Sequence, residues 1–218
     1  MSSSDQKRVF INPVTIVFAA AFAAAGAAAG AWLLKKPEAD APALQAALLY
    51  PEPRVLADFA LQDAEGANFD LQRFTEQWDL VFFGFTHCPD ICPNTMNELK
   101  AVQQLLQESE SAPRVNVTFI SVDPERDSPR HLATYVNYFD PGFQAATGPE
   151  AQLRALTYQM GVLYDIEEHE PGDMSYQVDH SASILVIDPA GRLAGQFPAP
   201  HDPVAIAADL IQLIDQRS

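Results

Sequence analysis

One stretch constrains this chain more than any other: Leu80 to Phe85 runs without a polar side chain, stops at Thr86-His87, and is followed by the chain's two cysteines, Cys88 and Cys92. Continuous rather than alternating hydrophobicity predicts a central strand covered on both faces. Beyond the cysteines, Asn94 to Gln107 predicts a helix that buries Met96, Leu99, Val102, Leu105 and Leu106. The thiols are thus expected at a strand-to-helix junction, in the first turns of the helix. Residues four apart share a helix face, and amides at a helix start stabilise an anion such as a thiolate. The pair reads as redox-active, metal-binding, or both.

The remaining pattern surrounds this junction with an α/β framework. Val55 to Leu61 and Asn68 to Leu71, joined by a turn at Asp63 to Gly66, predict an N-terminal β-hairpin. Val115 to Val122 is a second core strand, and Ser128-Pro129 opens a helix to about Phe139 with an N-cap serine and a proline at its first position. Pro149 to Met160 is a third helix, stopped by Gly161, and Val162 begins a short strand that runs into an acidic loop. Ser183 to Ile187 is the third core strand. Leu193 to Phe197 is its antiparallel partner, and Pro203 to Ile214 is the last helix. This order describes an α/β fold with a mixed central sheet flanked by helices, and the cysteines at a strand-to-helix junction make it thioredoxin-like.

The N-terminus does not fit that domain. Val14 to Leu34 is 21 residues without a charge, long enough for a single transmembrane helix at about 1.5 Å per residue; a cleaved signal sequence is the competing reading. The expected organisation is a tail over 1–13, an anchor over 14–34, a linker over 35–53 with a helical turn near Leu44 to Leu49, and the folded domain over 54–218. Of 13 basic and 29 acidic residues, four and one lie in residues 1–36, leaving 9 and 28 beyond them and a net charge of -19. That excess of acid excludes nucleic-acid binding, which needs Lys and Arg against phosphate. Cysteines four apart would also close too short a loop to act as a structural disulfide.

Two thiolates are an incomplete site for most metals, so a third ligand is sought among five histidines. His180 precedes the third core strand, whose start neighbours the cysteine junction in a thioredoxin-like sheet. Cys88, Cys92 and His180 would give two soft sulfurs and an imidazole, suited to copper as Cu(I) or Cu(II), one per domain. Closed structural zinc would want a fourth ligand. Thioredoxin-like oxidoreductases carry a proline just before that strand, and here none occurs between Pro171 and Pro189. That absence moves weight from disulfide exchange towards metal handling. Asp179 is the better outer-sphere partner for the ligands and Asp90 a weaker one. His87 is expected to hydrogen-bond at the strand end, and Asp123, Glu125, Arg126 and Asp127 to form a charged loop that faces a partner or stabilises itself. His169 is read as a solvated loop residue, and His131 and His201 have no supporting context.

Three blocks carry a resemblance: FGFTHCPDICP from Phe83 to Pro93, SVDPERDSP from Ser121 to Pro129, and YQVDHS from Tyr176 to Ser181. In their order and separation they resemble the SCO/SenC family of copper-binding assembly proteins, over about Tyr50 to the C-terminus. The resemblance implies a copper metallochaperone with Cys88, Cys92 and His180 as ligands. It implies assistance in assembling the binuclear copper centre of cytochrome c oxidase subunit II. Other periplasmic copper chaperones or thiol reductases would be further partners. The alternative it carries is a thiol-disulfide oxidoreductase that keeps the oxidase cysteines reduced, in which Cys88 and Cys92 would be catalytic through a redox-active disulfide. With the N-terminal span, it implies a single-pass protein of the bacterial inner membrane with its domain in the periplasm.

Overall fold

The structure is a computed structural model that describes residues 43–109 and 115–215. Leu44–Ser218 forms one compact unit. Its spine is β4 (Trp78–Gly84), buried at every position, as the unbroken apolar run requires. β4 pairs in parallel with β5 (Val115–Ser121) and antiparallel with β9 (Ile184–Ile187). The eight-stranded sheet continues outward in the order β1-β10-β9-β4-β5-β6-β2-β3. Here β1 is Leu48–Val55, β2 Leu61–Asp63, β3 Asn68–Phe69, β6 Gln144–Thr147 and β10 Arg192–Phe197. Helix α1 (Ile91–Gln107) connects β4 to β5, and α2 (Pro129–Phe139) connects β5 to β6. Helix α3 (Glu150–Met160) follows β6, and α4 (Pro203–Asp215) ends the described chain against α1. This is the expected thioredoxin-like α/β fold with a mixed central sheet.

The helix ends follow their residues. Ser128 caps α2, its hydroxyl accepting from the His131 amide at 3.4 Å, and α3 ends on Gly161 at φ 71°, the left-handed conformation that glycine adopts without cost. The N-terminal hairpin is β2-β3, shorter than expected because residues 56–60 leave the sheet.

Residues 48–53, read as linker, belong instead to β1, an edge strand. Its pairing with β10 slips between Leu49 and Arg54, and Pro51 and Pro53 fall within that irregular stretch, where missing amides leave no ladder bond unmade. The helical turn expected near Leu44 does not form. The amides of Gln45, Ala46 and Ala47 instead converge on the buried Asp209 carboxylate of α4 at 2.7 to 3.0 Å.

The expected membrane-spanning helix over 14–34 lies outside the described residues. Among the described residues no helix is long and apolar enough to cross a membrane; α1, the longest at 17 residues, buries one face and exposes the other. Single-pass anchoring and the inner-membrane location drawn from that span have no helix to rest on among the described residues, and are set aside.

Two further strands position the site. β7 (Tyr164–Ile166) and β8 (Val178–His180) form a separate antiparallel ribbon in which Tyr164 pairs with His180. Because β9 is antiparallel to β4, with Ile184 opposite Phe82, the residues leading into β9 arrive at the sheet end where β4 stops.

Candidate metal centre

Cys88 sits in the turn after β4, three residues before α1 begins, and is half-buried; Cys92 is in the first turn of α1 and fully buried. Only the second is therefore inside the helix. Both are free thiols. The Cys92 amide points at the Cys88 sulfur from 3.4 Å, so an unpaired donor at the helix start faces the position where a thiolate charge forms. Burial pushes the Cys92 thiol well above its ordinary range, so a metal bound at this sulfur must displace a tightly held proton.

His180, at the end of β8, places Nε2 3.2 Å from Cys92 Sγ. Its Nδ1 lies 3.0 Å from the Ser181 carbonyl oxygen. A carbonyl only accepts, so Nδ1 carries the proton and Nε2 presents its lone pair to the sulfurs. Edge-on packing against Phe82 at 5.7 Å and Phe85 at 5.9 Å holds the ring, and burial lowers its pKa, keeping it neutral. One ligand atom each from Cys88, Cys92 and His180 lies within 4.8 Å of the others, although Cys92 and His180 are 88 positions apart. The set fits a soft, low-coordinate metal ion.

Gly84, the last residue of β4, makes room for this arrangement. A Cβ there would stand 2.8 Å from Cys92 Sγ and 2.9 Å from Phe119 Cε2. The role of this glycine was not read from the sequence, because a glycine in an apolar run looks only like a weak strand residue; its signal is its place at the strand end before the cysteines. Tyr135 was missed as well. Its buried hydroxyl has no hydrogen-bond partner among the described residues, and burial, followed by the charges of Cys92, Cys88 and Asp127, raises its pKa.

The acidic loop is less exposed than its charges imply. Asp123, Arg126 and Asp127 are all buried, so these residues stabilise the site and do not face a partner; Glu125 alone of the four is exposed. Asp123 accepts from Arg126 Nε and from the Tyr176 hydroxyl, the latter at 2.6 Å. Arg126 Nη1 donates to the Met174 and Tyr176 carbonyls at 3.2 and 2.9 Å, with its guanidinium 3.7 Å over the Tyr176 ring. This clamp ties the segment that delivers His180 to the loop after β5. Asp127 accepts from the Thr86 amide and from Ser121 Oγ, at 2.9 and 2.6 Å, which fixes the end of β4.

Asp179 and Asp90 are both exposed. Asp179 neighbours His180 on a strand, so the two side chains point to opposite faces; its charge acts on His180 only after burial and the Ser181 carbonyl. Asp90 accepts from the Asn94 side chain at 2.6 Å and contacts neither cysteine sulfur. His87 lies 3.2 Å from Thr86 Oγ1, at the strand end. His169 stacks on Tyr176 at 3.6 Å and meets Glu125 at 2.9 Å, so it belongs to the outer wall of the clamp. His201, in the loop before α4, pairs with Glu98 of α1 at 2.9 Å.

Comparison with known proteins agrees with this geometry. The SCO1/SenC family pattern matches residues 49–215. A SCO2-like protein of Rickettsia prowazekii is 34% identical over 141 residues, 64% of this chain and 67% of its own length. Copper-bound ScoI of Bradyrhizobium japonicum superposes with a TM-score of 0.63 at 34% identity, over 72% of this chain and 98% of that one. Copper-bound ScoI of Arabidopsis thaliana gives 0.68 at 31% identity, over 74% and 99%. With the thioredoxin-like sheet, the paired thiols and the histidine brought to them from β8, the chain belongs to the SCO1/SenC family.

Proposed function

We propose that this chain is a copper metallochaperone that binds one copper ion through Cys88, Cys92 and His180 and assists assembly of the binuclear copper centre of cytochrome c oxidase subunit II. One observation carries the reading: two thiol sulfurs and one imidazole nitrogen lie within 4.8 Å of one another, and that nitrogen is left bare by the bond its partner in the ring makes. Two thiolates and one imidazole are a donor set for Cu(I) or Cu(II), and the copper-bound relatives share the fold at 31 and 34% identity.

The unequal exposure of the ligands orders the transfer. Cys92 is buried and His180 is wedged against Phe82 and Phe85, whereas Cys88 is half-exposed. A donor from the acceptor protein therefore reaches the metal beside Cys88 first, and copper leaves by stepwise ligand replacement. With Cu(I) and two thiolates the centre carries one net negative charge, partly offset by the amide directed at Cys88. A Cys88–Cys92 disulfide would remove both sulfur ligands, so reduction precedes loading.

The test is titration of the reduced protein with Cu(I) against a chromophoric competitor, beside His180→Ala. One equivalent is expected per chain, and the variant should weaken binding by more than the about 10–100-fold typical of losing an outer partner of a ligand. Unchanged affinity in His180→Ala would remove the histidine from the site. Transfer to an apo copper acceptor then tests the delivery role.

A second reading, reduction of the acceptor's cysteines, is favoured by one feature. Cys88 is the more accessible thiol and receives the Cys92 amide, the asymmetry expected of an attacking and a resolving cysteine. Metal-free reduction of a disulfide-bonded acceptor, retained in His180→Ala, would support it.

A further inference from the structure

Beside the thiolate centre stands a second group of potential ligands with different chemistry. His87 from the β4–α1 turn, Asp127 from the loop after β5, and His131 from the first turn of α2 each bring a ligand atom within 4.8 Å of the others. The two imidazoles lie face to face, 5.7 Å between centroids and 20° from parallel, and both are exposed while Asp127 is buried. The carboxylate is held rigidly by Thr86 and Ser121. These bonds occupy three of its roughly four acceptor positions, leaving one on the side of the histidines.

The charge balance at this place is unusual. A fully buried carboxylate is costly unless it is paired. Arg126, the adjacent cation, is turned to Asp123. Among the described residues the ionic neighbour of Asp127 is His87, with Nδ1 3.7 Å from Oδ1, too long for a hydrogen bond. A divalent cation held between the three side chains would supply the missing positive charge.

We propose that His87, Asp127 and His131 form a second metal site, selective for a divalent ion of the zinc and copper(II) class. Two imidazoles and one carboxylate are the donors such ions take with open positions left to water, and the exposed rings leave those positions on the solvent side. Without a sulfur donor the site discriminates against Cu(I), so it differs in oxidation-state preference from the thiolate centre that begins one residue later at Cys88. The chain therefore presents a soft and a borderline metal site at the same end of the sheet.

The experiment uses the full chain, first loaded with one equivalent of Cu(I) so that the thiolates are occupied, then titrated with zinc as a redox-silent probe. One further equivalent of zinc is expected. In His131→Ala, a surface substitution that keeps the backbone amide capped by Ser128, zinc affinity should fall at least tenfold while Cu(I) affinity stays as in the wild type. A Cys88→Ala/Cys92→Ala variant loaded with Cu(II) gives an independent readout: electron paramagnetic resonance should show coupling to two imidazole nitrogens, reduced to one by His131→Ala. Absence of a further zinc equivalent overturns the proposal. So does zinc binding unchanged in His131→Ala, which would assign the ion to the acidic surface.

Discussion

Gly84→Ala adds a single methyl group at the place where strand, helix and ligand meet, and its effect can be worked out in advance. The new Cβ would lie 2.8 Å from Cys92 Sγ, 2.9 Å from Phe119 Cε2 and 3.3 Å from Phe119 Cζ. Unstrained carbon contacts begin near 3.5 Å, so sulfur and ring must each retreat by roughly 0.6 Å or more. Both belong to a core with no exposed surface, and overpacking of this kind costs about 1–3 kcal/mol. In a domain of this size that lowers Tm by about 2–12 °C. The displacement also exceeds the ~0.2 Å that a metal ligand tolerates, so Cu(I) affinity should fall as well. Thermal unfolding of the apo protein reads the first effect and competitive Cu(I) titration the second. Combining the substitution with Cys92→Ala removes the sulfur from the clash, and the stability cost of the added methyl should then shrink. Wild-type Tm together with wild-type affinity in Gly84→Ala would refute the reasoning, and an undiminished cost in the double variant would place the whole strain on Phe119.

Three other outcomes are expected. Arg126→Met leaves the buried Asp123 carboxylate unpaired and should cost about 3–5 kcal/mol in a denaturant titration, with weaker Cu(I) binding because the segment carrying His180 loses its anchor. Tyr176→Phe removes only a hydroxyl bond to that carboxylate and should cost about 1.5–3 kcal/mol in the same titration. Asp79 tests the pH dependence. Burial raises its carboxyl from 3.8 to about 7, against weaker lowering by Asn116 and Thr118. Between those values the folded state holds the extra proton. The contribution of this group to stability is therefore full below 3.8 and is lost as pH rises through about 7. Asp79→Asn should raise stability at pH 8 by up to about 4 kcal/mol and change it little at pH 4. Equal effects at the two pH values would show that the carboxyl is not protonated in the fold.

What the sequence made legible, and what it hid, follows from how locally each element is specified. β4 and β9 are built on unbroken apolar runs, β5 sets Asn116 and Thr118 among apolar neighbours, and α1 to α3 carry periodic faces or N-terminal and C-terminal signals, so the sheet centre could be read directly. β1 was hidden because Pro51 and Pro53 look like linker, and only its place at a sheet edge tolerates them. β6, with the sequence QAAT, has almost no intrinsic strand preference and is held by pairing on both sides. The ligands Cys88, Cys92 and His180 were legible from residue type and from topology. The clamp of Asp123, Arg126 and Tyr176 was not, because a run of charges reads as a solvated face until its partner, some 50 residues away, is seen. His131 lacked context for the same reason: its neighbours His87 and Asp127 come from other elements.

The separation of 88 positions between Cys92 and His180 also sets a timetable. At about 5–20 residues per second of synthesis, the third ligand emerges about 4–18 s after the thiols, and it reaches them only when β8 and β9 have docked. Until then the nascent chain offers two sulfurs with neither the imidazole nor the walls of Phe82 and Phe85 around them. A metal caught in that interval is held by thiolates alone and is open to exchange. The mature centre is thus a checkpoint on completed folding: cargo is retained only by a chain that has finished closing on itself.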